Sequence, residues 1–198
     1  MKKVQRSDRR VRKTQSALYL ALADLLQHKK LSSITVSELA EKADIHRATF
    51  YSHYSDISEL YSQIQETALL ELSSILDPDP VNGKNMNSRE VFGAFMQFIQ
   101  GNKEVCRMLL TQRGAGSFFE VLSNRLEREY IDIFWSSLKD VVPAQQLSLF
   151  ANYHLQGCLA VFTMWAQQGY ETPAEIITST LATIDTHYDK LLNELSQP

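Results

Sequence analysis

The sequence predicts an all-α protein: an N-terminal unit of three helices followed by a larger C-terminal helical bundle. Three observations predict it. Apolar residues recur with a period near 3.6, not 2, along almost all of the 198 residues. Glycine and proline are scarce, 7 and 5, and several of them punctuate the periodic segments. The charge is uneven. Residues 1–55 carry eleven Lys or Arg against five acids, net +6, whereas residues 56–198 carry nine against eighteen, net −9.

The first helix is expected over 8–28. Ala17, Leu18, Ala21, Leu22, Leu25 and Leu26 form its apolar stripe, and Arg9, Arg10, Arg12 and Lys13 crowd its first turns. Positive charge there opposes the helix dipole, which hints at a use for it. A short second helix opens at Thr35-Val36-Ser37-Glu38, a capping box in which the Thr35 hydroxyl accepts from the Glu38 amide and the carboxylate reaches back. Ala43-Asp44-Ile45 breaks that pattern. A third helix follows at 47–53, then a long fourth one capped by Ser55 or Asp56 and carrying Leu60, Ile64, Ala68, Leu72 and Leu76. Residues 77–88, with two prolines, a glycine and three asparagines, form a loop. Five helices are expected beyond it, at 88–100, 103–111, 115–140, 144–168 and 173–195. Thr172-Pro173-Ala174-Glu175 starts the last, with Thr172 as cap and Pro173 at the first helical position. The last two are expected to be antiparallel neighbours.

Composition excludes several classes. At 44% hydrophobic and 22% charged residues, the chain is ordinary globular material. No apolar run approaches the ~18–20 residues of a membrane span, and no apolar segment follows the basic N-terminus as a secretory signal would. A cytoplasmic protein is expected. Cys106 and Cys158 lack any CxxC spacing, so neither a disulfide framework nor a zinc site is expected. His28, His46, His53, His154 and His187 include no pair at i, i+3 or i, i+4. With no HExxH, glycine-rich phosphate loop or nucleophile motif, neither an enzyme nor a metal or cofactor is expected.

Two short helices joined by a tight turn and packed on a longer one describe a helix-turn-helix, whose second helix enters the DNA major groove. The chemistry of Ile45-His46-Arg47-Ala48-Thr49-Phe50-Tyr51-Ser52-His53-Tyr54 fits that task. Arg47 can donate a bidentate pair to guanine, Thr49 can meet a base or a phosphate, and Phe50 can touch a thymine methyl. Tyr51 and His53 can donate to phosphates. Phe50 and Tyr54 have the alternative of packing against helices 1 and 4.

Residues 9–60 resemble the DNA-binding domain of the TetR family of bacterial transcription regulators. The matching stretches are Ile34–Ala40, Ala43–Tyr54 and Glu59-Leu60. The resemblance implies that Thr35 binds a phosphate, that Arg47, Thr49 and Phe50 face bases, and that Tyr51 and His53 clamp the backbone. Three positions depart from the family pattern. His46 stands where a Ser usually caps the recognition helix, and it is a base or phosphate contact in its own right. Asp44 replaces the common turn Gly and tolerates a left-handed backbone. Ile57 stands where a Lys commonly binds phosphate, beside a repulsive Asp56, which predicts weaker binding and a salt slope lower by about one. The basic arm (Lys2, Lys3, Arg6, Arg9, Arg10) either compensates by tracking phosphates or a minor groove, or is a solvated tail.

The domain division implied is 1–55, a helix-turn-helix domain with its basic arm, and 56–198, a ligand-binding and dimerisation domain. A helix-turn-helix protein binds a palindromic operator as a two-fold dimer. Helices 144–168 and 173–195 are the dimer candidates, through Leu147, Phe150, Leu155, Cys158, Val161, Phe162 and Trp165 on one and Ile176, Ile177, Leu181, Ile184, Tyr188 and Leu191 on the other. Gly157 marks a close helix crossing, between protomers or within one. Candidates for lining an effector pocket are Phe92, Phe95, Met96, Phe118, Phe119 and Trp135, with Met108, Phe98 and Phe134 in the same apolar set; such stripes are ordinary core more often than ligand lining. Arg113 and His154 could orient a ligand, or be surface and satisfied core groups. The expected function is a ligand-responsive transcription repressor released from its operator by an unidentified small molecule. The alternative is an activator or co-regulator of the same fold that acts through a protein partner.

Overall fold

The computed structural model of the chain describes residues 2–76, 87–111, 118–134 and 142–195. Among the described residues there are nine α-helices and no strand. They are α1 (Lys2–Leu25), α2 (Val36–Lys42), α3 (Arg47–Tyr51), α4 (Ile57–Leu76), α5 (Ser88–Gly101), α6 (Lys103–Thr111), α7 (Phe118–Phe134), α8 (Ala144–Gln167) and α9 (Ala174–Leu195). The expected elements are all present, with shifted ends. α1 begins at Lys2, six residues before the expected start, so its basic run is helical. A single 3₁₀ turn at Leu31–Ser33, not foreseen, links α1 to α2. Most of the expected loop 77–88 and both flanks of α7 lie outside the described residues.

The chain divides into two compact units, residues 1–68 with 104–108, and residues 69–103 with 109–198. In the first unit α1 packs on α2 and α2 on α3. Leu18, Leu22, Leu39, Phe50, Leu60 and Ile64 are almost fully buried there. Burying each such side chain contributes about 1.5–3 kcal/mol, enough to hold helices too short to persist alone. Tyr54 is buried with them, and burial together with the neighbouring Tyr19 pushes its phenol well above the usual tyrosine range. Asp56, rather than Ser55, caps α4: its Oδ1 accepts from the Glu59 amide at 2.8 Å. Glu59 closes the start of the helix by accepting from the hydroxyl and the amide of Ser55, which hold its carboxyl below the ordinary range.

In the second unit α5 lies against α9 and α7 against α8. A capping box starts α5: Asn87 Oδ1 accepts from the Glu90 amide and Glu90 Oε2 from the Asn87 amide, both at 3.0 Å. Pro173, not Thr172, occupies the cap of α9, its carbonyl accepting from the amides of Ile176 and Ile177. The turn before α9 carries two left-handed residues, Gly169 (φ 71°) and Tyr170 (φ 62°). Tyr170 is held there by donating its hydroxyl to the Lys103 carbonyl at 2.6 Å and by edge contact with Trp165, whose Nε1 donates to the Thr172 carbonyl at 2.7 Å.

The apolar residues of α8 and α9 need a correction. The stripe expected to meet a second protomer is largely internal: Leu147, Leu155, Cys158, Phe162 and Trp165 of α8 and Ile177 and Leu181 of α9 are buried within the chain. On α8 a different face is exposed, carrying Leu149, Tyr153, Gly157, Ala160 and Met164; on α9 two of the expected residues, Ile176 and Ile184, are exposed together with Thr180. Both helices are apolar on two faces, and a sequence stripe cannot say which one the chain itself covers.

Candidate nucleic-acid interface

The interface is built from α2, the turn after it and α3. Thr35 caps α2 by accepting from the Glu38 amide at 3.3 Å. The reciprocal half of the expected capping box is not made, because the Glu38 carboxylate pairs with Lys29. Leu39 and Ala40 anchor α2 in the core. It ends in a Schellman turn: the Ile45 amide donates to the Ala40 carbonyl at 3.0 Å and the Asp44 amide to the Glu41 carbonyl at 3.1 Å. That geometry puts residue 44 in the left-handed region, and Asp44 has φ 52°. The turn therefore works with Asp where a glycine is usual, since a short polar side chain tolerates this region better than most.

His46 precedes α3 in an extended conformation and makes no side-chain cap. Its carbonyl receives the first helical bonds, from the amides of Thr49 and Phe50. At the other end the Ser52 hydroxyl donates to the Thr49 carbonyl at 2.7 Å. Five residues make little more than one turn, so the two sides of α3 are sharply different. His46, Arg47 and Tyr51 are exposed, Tyr51 by 58%, while Thr49 and His53 are half-buried. Phe50 is fully buried, its ring 5.5 Å from that of Tyr51 in an edge contact and 5.7 Å from that of Tyr54.

This corrects the expectation for Phe50. With no surface exposed, its ring has nothing to offer a thymine methyl; it anchors α3, as Tyr54 does. The structure brings Arg47, Thr49 and Tyr51 onto α3 and His46 and His53 onto the residues flanking it, with Thr35 at the start of α2. Thr35 Oγ1 accepts a hydrogen bond from Glu38, which leaves its proton to be donated elsewhere. Ile57 is buried in the core, so its difference from a phosphate-binding Lys is one of role as well as charge.

The effector-pocket candidates sit in the second unit. Phe92, Phe95 and Met96 line the buried face of α5, and Phe95 stacks on Phe162 at 6.1 Å. Phe118 is buried and Phe119 half-buried on α7. Trp135 and Arg113 lie outside the described residues, as does the side chain of Phe134. His154 is buried, and its Nε2 lies 2.6 Å from Oδ1 of an equally buried Asp185. Asp185 also accepts from the Ser88 hydroxyl, and Cys158 Sγ lies 3.8 Å from the imidazole. Burial pulls this histidine down, but the hydrogen bond to Asp185, with help from Cys158, outweighs it and carries the group up to about 10. Asp185 was not foreseen. The available signal was an acid four residues after Leu181 and eight after Ile177, on the apolar face of α9.

Comparison with known proteins decides the family. The sequence model of TetR C-terminal domains, described as a transcriptional regulator C-terminal region, matches residues 86–186, half of the chain. The chain belongs to the TetR family of transcription regulators. Its members are regulators rather than enzymes. This TetR-family chain is also 39% identical over 66 residues to the HTH-type transcriptional regulator YxbF of Bacillus subtilis (strain 168). That match covers 33% of this chain and 17% of YxbF. Solved structures share the fold at low identity. A TetR-family regulator from Streptomyces coelicolor superposes with a TM-score of 0.62 at 17% identity, over 92% of this chain and 86% of that one. The fatty acid degradation regulator FadR of Bacillus halodurans gives 0.63 at 12% identity, over 86% and 93%. The dihydroxyacetone kinase operon activator DhaS gives 0.60 at 18%, over 90% and 97%. Among the described residues of the TetR-family chain, no helix is long and apolar enough to cross a membrane.

Proposed function

We propose that this TetR-family regulator is a cytoplasmic repressor that binds a palindromic operator as a homodimer and is released by a small-molecule effector. The observation that carries the DNA-binding part is the exposed set on α3. Arg47 would read guanine, Thr49 a base or phosphate, and Tyr51 and His53 would hold the backbone. His46 and Thr35 would add phosphate contacts at the two helix starts. Residues 1–55 would form the DNA-binding domain and 56–198 the effector and dimer domain.

The outer faces of α8 and α9 support the dimer. Leu149 and Tyr153 are 72% and 75% exposed, and Ile176 and Ile184 more than half. A Cβ added at Gly157 would meet nothing within 4 Å, so no helix among the described residues uses the room this glycine leaves. A glycine inside a helix costs about 1 kcal/mol against alanine, and a close crossing with the partner protomer would explain it. Two helices from each protomer would then form an isologous four-helix bundle. For the effector, Phe92, Phe95, Met96, Phe118, Phe119 and Trp135 are the proposed apolar contacts and His154 the polar one. An effector shifts the regulator by as much as its affinity differs between the DNA-competent and released states.

The test is a binding titration against the DNA upstream of the protein's own gene, with wild type and an Arg47→Ala, Tyr51→Ala variant. Tight binding to one palindromic site, lost in the variant, is expected. Equal, feeble binding by both proteins would refute sequence-specific recognition at that site. The alternative reading, an activator or co-regulator working through a protein partner, is favoured by Ile57 and His46 and by the fold shared with an operon activator. A transcription assay with and without the protein decides the sign.

A further inference from the structure

We propose that Tyr170 is a positioning residue for DNA binding: its side chain latches the α8–α9 turn to a peptide group through which the chain passes from the second unit into the first. The inference goes beyond the reading above and rests on it for the DNA.

The turn is built beyond what ending a helix requires. α8 closes in a Schellman motif, the Gly169 amide donating to the Ala166 carbonyl at 3.2 Å and the Tyr170 amide to the Trp165 carbonyl at 3.0 Å. That motif needs one left-handed residue, and Gly169 supplies it at φ 71°. Tyr170 is left-handed as well, at φ 62°. A bulky residue stays in this region only where its surroundings hold it there, and the motif does not ask for it.

The hold comes from the start of α6. The Tyr170 hydroxyl donates to the Lys103 carbonyl at 2.6 Å, and Lys103 Nζ lies 5.6 Å from the centre of the same ring. Trp165 meets that ring edge-on at 5.0 Å. Tyr170 is 9% exposed, which limits the water that can replace its hydroxyl bond.

Lys103 is where the chain changes unit. Residues 69–103 belong to the second unit and 104–108 to the first, so the carbonyl that Tyr170 holds is part of the crossing peptide group. A single residue, Asn102, separates α5 from α6. It is fixed in turn: its backbone amide donates to the Ile99 carbonyl at 3.1 Å and its side-chain amide to the Phe98 carbonyl at 3.0 Å. Past the crossing, inside the first unit, Cys106 and Met108 are buried and the Glu104 carboxylate accepts from Gln27 at 3.4 Å. A change in the α8–α9 turn therefore reaches the first unit through one peptide bond. Holding that bond limits the arrangements from which DNA must be bound, and releasing it leaves more freedom to be lost on binding. Without the hydroxyl bond the strained backbone of Tyr170 loses a main restraint, so the turn opens more readily.

Tyr170→Phe removes the hydroxyl bond and keeps the ring. Thr163→Val is the reference: it deletes another buried hydroxyl bond of α8, from Thr163 to the Leu159 carbonyl at 2.8 Å, and involves no group of α6. Wild type and both variants of the full chain are compared by amide hydrogen exchange and by titration with the DNA upstream of the protein's own gene. Tyr170→Phe is expected to speed exchange over residues 104–108, relative to the other helices, by about three- to tenfold, the range set by one net hydrogen bond. DNA affinity is expected to fall by a similar factor. Thr163→Val is expected to leave both readouts at wild-type values. Three results overturn the proposal. One is unchanged exchange over 104–108 in Tyr170→Phe. Another is faster exchange with DNA affinity at or above that of wild type. The third is Thr163→Val moving both readouts as far, which makes the Tyr170 bond one of many that stabilise the second unit. If wild type binds no DNA at that site, the operator reading fails, while the exchange comparison still supports or overturns the latch.

Discussion

Replacing His154 with leucine should cost the protein a large share of its stability, and replacing His154 and Asp185 together should restore most of it. The side chains are only 5% and 6% exposed and 2.6 Å apart. Removing the imidazole strands the Asp185 carboxylate in the core beside the Ser88 hydroxyl that donates to it. Two routes give the size. Raising an imidazole from 6.5 to about 10 corresponds to at most about 5 kcal/mol. Breaking a buried ion pair by deleting one partner typically costs about 3–5 kcal/mol. Against a total of roughly 5–15 kcal/mol for a folded domain, either figure is severe. A leucine pair of similar volume removes both charges, so the double variant should lie within about 1 kcal/mol of wild type or above it.

The pH dependence has a definite sign. The folded-state value of His154 lies above the unfolded one, so its contribution is complete below about 6.5 and is lost as pH rises toward 10. Urea unfolding followed by tryptophan fluorescence at a series of pH values measures this. The wild-type midpoint should fall between pH 6.5 and 10 more steeply than that of the double variant. If the single and double variants are equally unstable, or if the two pH profiles run parallel, the pair is not the buried ionised contact described above.

Three other outcomes follow from the structure. Phe50→Ala should cost about 3–5 kcal/mol of unfolding free energy, as a buried phenylalanine does, and lower DNA binding through the lost anchoring of α3. Normal stability with lost operator binding would instead return Phe50 to the DNA surface. Asp44→Val should destabilise by about 1–3 kcal/mol, because a β-branched residue is held in the left-handed region, and Asp44→Gly should be tolerated; equal stability of the two variants would argue against the Schellman turn. Gly157→Leu should leave the protomer as stable as wild type or more so, since its Cβ meets nothing, yet weaken self-association at least tenfold in sedimentation. Unchanged association would place the dimer contact elsewhere.

The sequence was most legible where structure is set by a few consecutive residues. Thr35 caps α2 and Asp44 turns the chain left-handed because each acts on amides and dihedrals within four positions of itself, so the helix-turn-helix could be read locally. Periodicity also located α4 to α6, α8 and α9. It failed on direction. α3 has five residues, too few for a moment, so nothing local told Phe50 from Tyr51, one fully buried and the other mostly exposed. In α8 two apolar faces run the whole length, and only the packed chain shows that Leu155 and Phe162 lie inside while Leu149 and Tyr153 lie outside. His154 met Asp185 across 31 positions, a pairing no spacing rule reaches, although an aspartate in register with Ile177 and Leu181 was a visible irregularity.

The alternation on α3 explains how so short a helix can carry recognition. One turn and a half cannot persist by its own hydrogen bonds, because nucleation alone costs more than they return. Phe50 and Tyr54, four apart, supply the missing free energy from the core side and fix the rotation of the helix about its axis. With that rotation fixed, Arg47 and Tyr51, also four apart, are held on the exposed flank of the helix. The shortness that makes α3 unstable alone makes its orientation depend on two aromatic rings. A substitution at 47 or 51 can then change which DNA is preferred without touching the core. A substitution at 50 or 54 acts on every contact of α3 at once.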